Sequence, residues 1–469
     1  MTSTTAPPAT PGRTPTRRVP GDLLVLGVEV ALLAVAVLVG ALLNARDAGL
    51  HADAAPLYAT WRPHLGWGSP AALLVAVAVV GWGARWARTA RWGLLLISAW
   101  LAAVAWTLSL ALVDGWTAGL TRRLTAQAEY LHEVPGVTDI PAMLAGFTDR
   151  ILDFQPAAWS THTAGHPPGA LLIFVWLDRA GLAGGAAAGL ACVLLGATVA
   201  VSVPVTLRAL GAADAARAVI PFLVLLPGAV WVGASADGIF AAVVAAGLAL
   251  LAVRGWAVAA VGGALLGFAL HLSYGFPLVG VLALAVLALR RTHRWGALLA
   301  ACAGVAAVTG VFVAAGFQWW VGYHLVVERY YQGWAADRPY RYWVWANLAA
   351  LLLSAGPVLG PALRRALVAA WRLGMPPALG RWRASRRLVG SAAVRTAGPT
   401  VLLPLAAALA VLGADLSGLS KAEVERIWLP FTVWLLVATA WLPLGSRRWW
   451  LAGQAATALA VNHLLWTVS

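Results

Sequence analysis

Apolar runs of about 20 residues recur along this chain, separated by short gaps in which Arg clusters alternate with acidic stretches. A run of that length satisfies its backbone polar groups in lipid only as a helix, since no water is present to pair with them. The pattern therefore predicts an all-α polytopic membrane protein. Composition agrees: 61% of residues are hydrophobic, 11% are charged and the mean hydropathy is +0.79, against roughly 25% charged in a soluble domain. Residues 1–20, rich in Thr, Pro, Ala and Arg without an apolar face, are expected to form a disordered cytoplasmic tail. Residues 21–469 are expected to form a single transmembrane domain with no soluble domain attached.

Helices are predicted over 23–43, 71–87, 92–113, 186–207, 217–235, 238–253, 256–273, 276–289, 296–316, 344–362, 397–413, 429–445 and 449–467, about 13 crossings. The first run is too long for a signal-peptide core and is expected to be retained. Arg clusters at 85/88/91, 208/217, 254, 290/291/294, 364–395 and 447/448 fall in alternate gaps, which the positive-inside rule assigns to the cytoplasm together with the N-terminus. The expected location is the cytoplasmic membrane. Segment 169–182, short and ending in Asp178-Arg179, is expected to lie in the interface or re-enter. The connections 114–168 and 317–342 then face outward, and the basic stretch 364–395 faces inward.

The formal charge of +15 comes from 33 basic residues, of which only Lys421 is not Arg. Topology accounts for this excess, so no nucleic-acid partner is expected. Cys192 and Cys302 lie in apolar stretches without ligand spacing, which indicates neither a disulfide framework nor a zinc site. The chain has no Walker loop, no dinucleotide fingerprint and no internal repeat, leaving ATP-driven transport and hydride chemistry without support.

The candidate chemistry gathers on the outward side. Asp114 closes the third run, where it is either a stop signal or a functional carboxylate. The following loop adds Glu129, Glu133, Asp139, Asp149 and Asp153 among Tyr130, Phe147, Phe154 and Trp159. Acids and aromatics at an interface are commonly solvated, but they also compose sugar sites, where rings stack and carboxylates orient hydroxyls or act as a base. The loop ends in His162 and His166-Pro167-Pro168-Gly169. The prolines fix a helix start, while the imidazoles offer phosphate or metal contacts. Asp237, in a tight turn between two apolar runs, is either a helix cap or a functional acid. Arg426 is either neutralised by Glu423 and Glu425, as Lys421 also would be, or presents its planar fork to a phosphate. Arg329, Arg338 and Arg341 stand among Trp and Tyr in 317–342, against the positive-inside trend, which suggests an anionic headgroup.

Asp114, the acid-rich loop, His166-Pro167-Pro168-Gly169 and the stretch from Leu226-Pro227 to Ala236-Asp237 together resemble the GT-C superfamily of polyprenyl-phosphate-sugar-dependent glycosyltransferases. The branch most similar comprises the protein O-mannosyltransferases and lipid A aminoarabinose transferases. The likeness covers about residues 92–255. It departs where the family has a second acid after the first, here Gly115, and Leu at the fourth motif position, here Gly169; two helices also precede the family's usual first one. The resemblance implies a GT-C-like fold and transfer of a sugar, with inversion, from a polyprenyl phosphate donor to a cell-envelope glycan, lipid or protein. It implies Asp114 as base, with Asp149 or Asp153 as substitutes. His166, Arg329, Arg338 and Arg426 would bind the donor phosphate, and Asp237 with Asp114 would hold a divalent cation if one is used. The rival expectation is a lipid-linked-sugar flippase or transporter that uses the same groups without breaking a bond.

Overall fold

The computed structural model describes residues 20–233, 235–372 and 392–467. The expected tail therefore lies outside the described residues apart from Pro20, as does most of the basic stretch 364–395. The described residues are helical almost throughout, with one two-stranded antiparallel ribbon among them, Ala59–Trp61 with Leu465–Thr467.

Among the described residues, six helices are long and apolar enough to cross a membrane: Gly21–Asn44, Gly68–Thr89, Trp92–Ala111, Gly184–Ala209, Arg294–Ala314 and Ala397–Leu416. These are the helices of a multi-pass membrane protein. Gly21–Asn44 hides only 11% of its apolar window inside the molecule, so its side chains are built for lipid. Other apolar runs have a different destination. Asp237–Ala252 buries 13 of its 16 residues and Leu429–Leu435 buries all 7; both are core helices, hydrophobic on every side because protein surrounds them.

Several expected single helices are broken. The run 344–362 divides into Tyr340–Ala355 and Leu359–Arg372, which meet at 95°. Gly356, at φ +88° and ψ 163°, takes an extended positive-φ conformation that essentially only glycine adopts, which ends the helix, and Pro357 blocks its resumption. The run 217–235 divides into Ala213–Val224 and Ala229–Val232 around Leu226-Pro227-Gly228. Helix 449–467 stops at Leu464, and its last residues become a strand. Conversely, the connection 317–342 contains a helix, Trp319–Gln332. There Trp319 and Tyr323, one turn apart, stack at 5.7 Å with planes 3° apart.

Segment 169–182 forms the 11-residue helix Gly169–Arg179. At about 1.5 Å per residue it is roughly half as long as the hydrocarbon core is thick. Close packing elsewhere relies on small residues. A Cβ on Gly263 would sit 2.1 Å from the Ala301 carbonyl oxygen, and one on Gly304 2.1 Å from that of Ala260. Trp256–Leu270 and Arg294–Ala314 thus meet backbone to backbone, the contact that favours association where lipid removes the hydrophobic drive.

Candidate functional site

Asp237 opens the buried helix Asp237–Ala252, where unpaired N–H groups and the helix dipole favour an anion. The Ser235 hydroxyl lies 3.1 Å from its Oδ2 and also accepts from its N–H. Arg426 approaches from the far part of the chain, on the single turn Val424–Ile427. Immediately before it, Ala422 and Glu423 hold φ of 72° and 62°. Non-glycine residues adopt this left-handed conformation at a cost; here the turn folds the Glu423 carboxylate back onto the Arg426 guanidinium.

Arg426 is only 5% exposed and is the hub of a buried charged group. Its Nη1 donates to Asp237 Oδ2 at 2.8 Å, and its Nη2 donates to Glu423 Oε2 and to His162 Nε2, the latter at 3.3 Å. On the other edge of that imidazole, Nδ1 meets Glu129 Oε1 at 2.7 Å. A guanidinium can only donate, so these contacts fit His162 as a neutral ring with its proton on Nδ1. Glu423 also lies 3.8 Å from Arg338. Burial works against charge on Arg426, but Glu423 and Asp237 outweigh it and hold the guanidinium well above its usual range. Burial likewise opposes ionisation of Glu423, and Arg426 with Arg338 reverses this, leaving its carboxyl below the ordinary value. One donor is left over: Arg426 Nε is buried and has no acceptor among the described residues.

His166 stands beside this group. Its Nδ1 lies 2.9 Å from the His162 carbonyl oxygen and 2.9 Å from the Tyr130 hydroxyl. A carbonyl only accepts, so Nδ1 carries the proton. Burial pushes the ring down to about 4, with Asp237 pulling the other way, so it is neutral near pH 7. Its Nε2 is then an acceptor, suited to a hydroxyl more than to a phosphate oxygen. Pro167 and Pro168 start the helix that follows, and Gly169 lets it lie against the turn at His271: a Cβ there would fall 2.5 Å from the His271 carbonyl oxygen. A larger side chain at this position would not fit that approach.

Asp114 belongs to a separate group. Its Oδ1 is 2.6 Å from His64 Nε2 and its Oδ2 is 3.0 Å from Arg123 Nη2. His64 Nδ1 meanwhile faces the Arg62 carbonyl oxygen at 2.7 Å. Both ring nitrogens thus face oxygens that ordinarily accept, so either the imidazole carries two protons or Asp114 carries one. Arg123 also donates to the Thr467 carbonyl, tying this cluster to the terminal strand. No hydrogen bond or ion pair among the described residues joins it to Arg426.

The remaining expected residues are dispersed. Asp149 is exposed on the turn Thr148–Arg150 and makes no ion pair among the described residues. Asp153 pairs with Arg329 at 2.7 Å. Burial opposes its ionisation slightly, and the Phe154 N–H with Arg329 brings the carboxyl below its usual range. Arg338, 6% exposed, donates to the Leu50, His51 and Lys421 carbonyls, which lashes the first loop to the segment before Arg426. Among the described residues, no three His, Cys, Asp or Glu side chains form a ligand set for an ion. Asp237 and Asp114 are each engaged by a guanidinium and lie in different groups, so they do not fit as joint ligands of one cation.

Sequence reasoning placed Asp237 and Arg426 as separate candidates and named Glu129 and His162 without their partners. Glu423, three residues before Arg426, was the one legible pair. His64 and Arg123 as partners of Asp114 carried no local signal. Comparison with protein-family models, curated proteins and solved structures gave no match. Fold and site define an all-α, multi-pass membrane protein with a buried ionic cluster where one long connection meets the end of the chain.

Proposed function

We propose that this protein is an integral membrane glycosyltransferase, moving a sugar from a polyprenyl phosphate donor to a hydroxyl of a cell-envelope glycan, lipid or protein on the outer face of the cytoplasmic membrane. The supporting observation is the Arg426 cluster with its unsatisfied Nε–H. Burying paired charges costs several kcal/mol per ion, which packing with apolar residues would avoid. A donor left unpaired inside such a cluster suits a ligand oxygen, and phosphate matches guanidinium in charge and shape.

In this reading the acceptor oxygen attacks the anomeric carbon as the bond from that carbon to the phosphate oxygen breaks. Arg426 stabilises the departing polyprenyl phosphate. His162, oriented by Glu129, takes the acceptor proton on Nε2, which Arg426 Nη2 vacates when it turns to the phosphate. His166 accepts from a sugar hydroxyl, and Asp237 holds the guanidinium in place. The resemblance assigns the base to Asp114 instead, but that carboxylate already holds His64 and Arg123, which favours the Glu129–His162 pair. No step is routed through a cation. The same reading keeps a GT-C-like fold with about 13 crossings and a cytoplasmic N-terminus, the shorter apolar helices crossing within a protein surround.

The test is purified protein with a radiolabelled polyprenyl-phosphate sugar, scored for free polyprenyl phosphate and labelled acceptor. Release by the wild type is expected. Arg426→Lys should lose about a hundredfold or more in kcat, the scale of a lost transition-state donor, and His162→Gln about as much or more. Asp114→Asn should keep transfer while melting earlier. An inactive Asp114→Asn beside an active His162→Gln returns the base to Asp114. Translocation of intact donor without release identifies a flippase or transporter and overturns the assignment.

A further inference from the structure

Beside the ionic cluster the structure leaves an open cavity of about 320 Å³ lined by His51, Asp53, Tyr58, Ala59, Thr60 and Trp334. This volume lies at the lower end of the roughly 300–1,000 Å³ typical of small-molecule sites. None of these residues belongs to the transfer chemistry above. His51 stacks on Trp334 at 5.3 Å with planes 11° apart, and Tyr58 meets the same indole at 6.2 Å and 59°. The indole, braced on one side, still exposes 55% of its surface. Asp53 is exposed and makes no ion pair among the described residues. Thr60 adds a hydroxyl from the strand Ala59–Trp61.

We propose that this cavity is a saccharide subsite, in which a sugar ring lies against Trp334 in the corner made with Tyr58, and Asp53 and Thr60 hydrogen-bond its hydroxyls. Aromatic faces receive the C–H side of a pyranose, while a carboxylate accepts from neighbouring hydroxyls. A purely apolar ligand would strip water from Asp53 without replacing its hydrogen bonds. An anion would face the carboxylates of Asp53 and, through its contact with His51, Asp337. A cation is disfavoured because the Arg338 guanidinium already lies 5.6 Å from the Tyr58 ring.

The wall of the cavity is tied to the cluster by a relay of polar contacts. Arg338 donates to the His51 carbonyl and ion-pairs with Glu423, which pairs with Arg426. A saccharide held here is placed to supply the acceptor hydroxyl; that role rests on the transfer reading, whereas binding does not.

Saturation-transfer NMR on the full chain in detergent tests binding, with methyl α-glucoside, methyl α-mannoside, methyl β-galactoside and methyl α-arabinofuranoside as probes, and choline and sorbitol as controls. At least one glycoside should receive saturation on its ring protons and compete with the free sugar. Trp334→Ala and Asp53→Asn should each weaken it by about tenfold, the equivalent of one lost stacking or hydrogen-bonding contact, with unchanged melting curves. The exposed Asp53 makes its variant the safer one for folding. Silence of all four glycosides, binding of choline alone, or equal transfer to sorbitol overturns the subsite. Glycoside binding lost in Trp334→Ala, in a protein that releases no polyprenyl phosphate, keeps the subsite and removes the transfer reading.

Discussion

Glu425 shows at the scale of one residue what the fold asks of its ionisable groups. Its side chain is fully enclosed, with no cation paired to its carboxyl oxygens among the described residues and only the backbone N–H groups of Glu425 and Tyr58 close enough to favour the ionised form. Burial, reinforced by the nearby Glu423 charge, pushes the carboxyl up to about 7 from an ordinary value of 4.5. Because the folded state holds this proton more tightly than the unfolded chain, the associated stabilisation is fully present below pH 4.5 and is lost as pH rises through 7. Melting temperature should therefore fall between about pH 5 and 8, and Glu425→Gln should flatten that part of the profile. The shift corresponds to on the order of 3 kcal/mol. Identical profiles for wild type and variant would show that Glu425 is not the titrating group. One of the two sequence alternatives had Glu425 neutralising Lys421 and Arg426; instead Lys421 donates to the Ala335 carbonyl and Glu425 makes no ion pair among the described residues. Neighbours in sequence on a single helical turn point in different directions, so adjacency was a poor guide to pairing.

Among elements, the helix Gly169–Arg179 has the greatest influence on the site. His166 precedes it by three residues, so the position of the helix start fixes the imidazole against Tyr130 and Phe240. Its small first residue allows the approach to His271. Gly169→Ala should cost about 1–3 kcal/mol through overpacking against a backbone oxygen that cannot rotate away, and, on the proposed transfer function, it should reduce donor release by moving His166. Thermal unfolding and donor-release rates measure the two effects separately; an unchanged melting temperature would mean the helix shifts freely. The helix itself was legible, since a double proline before an apolar stretch marks a start. The break at Gly356 was not, although Gly-Pro stood in plain view, because the flanking residues on both sides remain apolar and hydropathy alone reads straight through a bend.

For the whole molecule, the relevant quantity is how charge divides between the two ends. The Arg clusters predict that connection 114–168 faces outward and stretch 364–395 inward. A membrane-impermeant maleimide on intact cells should therefore label Gln155→Cys, on the exposed part of the first connection, whereas Ser385→Cys should react only after permeabilisation. The reverse result would invert the topology and put the proposed site on the cytoplasmic side. Native Cys192 is buried, and Cys302, which is exposed on an apolar helix, is replaced in the labelling background.

Sequence by itself determined the fold class, because apolar length and the obligation to pair every backbone group in lipid leave few alternatives to helices. It also singled out Asp237 and Arg426, since acids and Arg beside apolar runs are costly enough to be conspicuous. Only the tertiary structure decided which apolar helices are cores and which face lipid, since both carry the same residues and differ only in their surroundings. It alone decided that Asp237 meets Arg426 across 189 positions while Asp114 is held apart by His64 and Arg123. Charge partners are chosen by where the chain brings them together in a low-dielectric interior, and no local pattern encodes that distance.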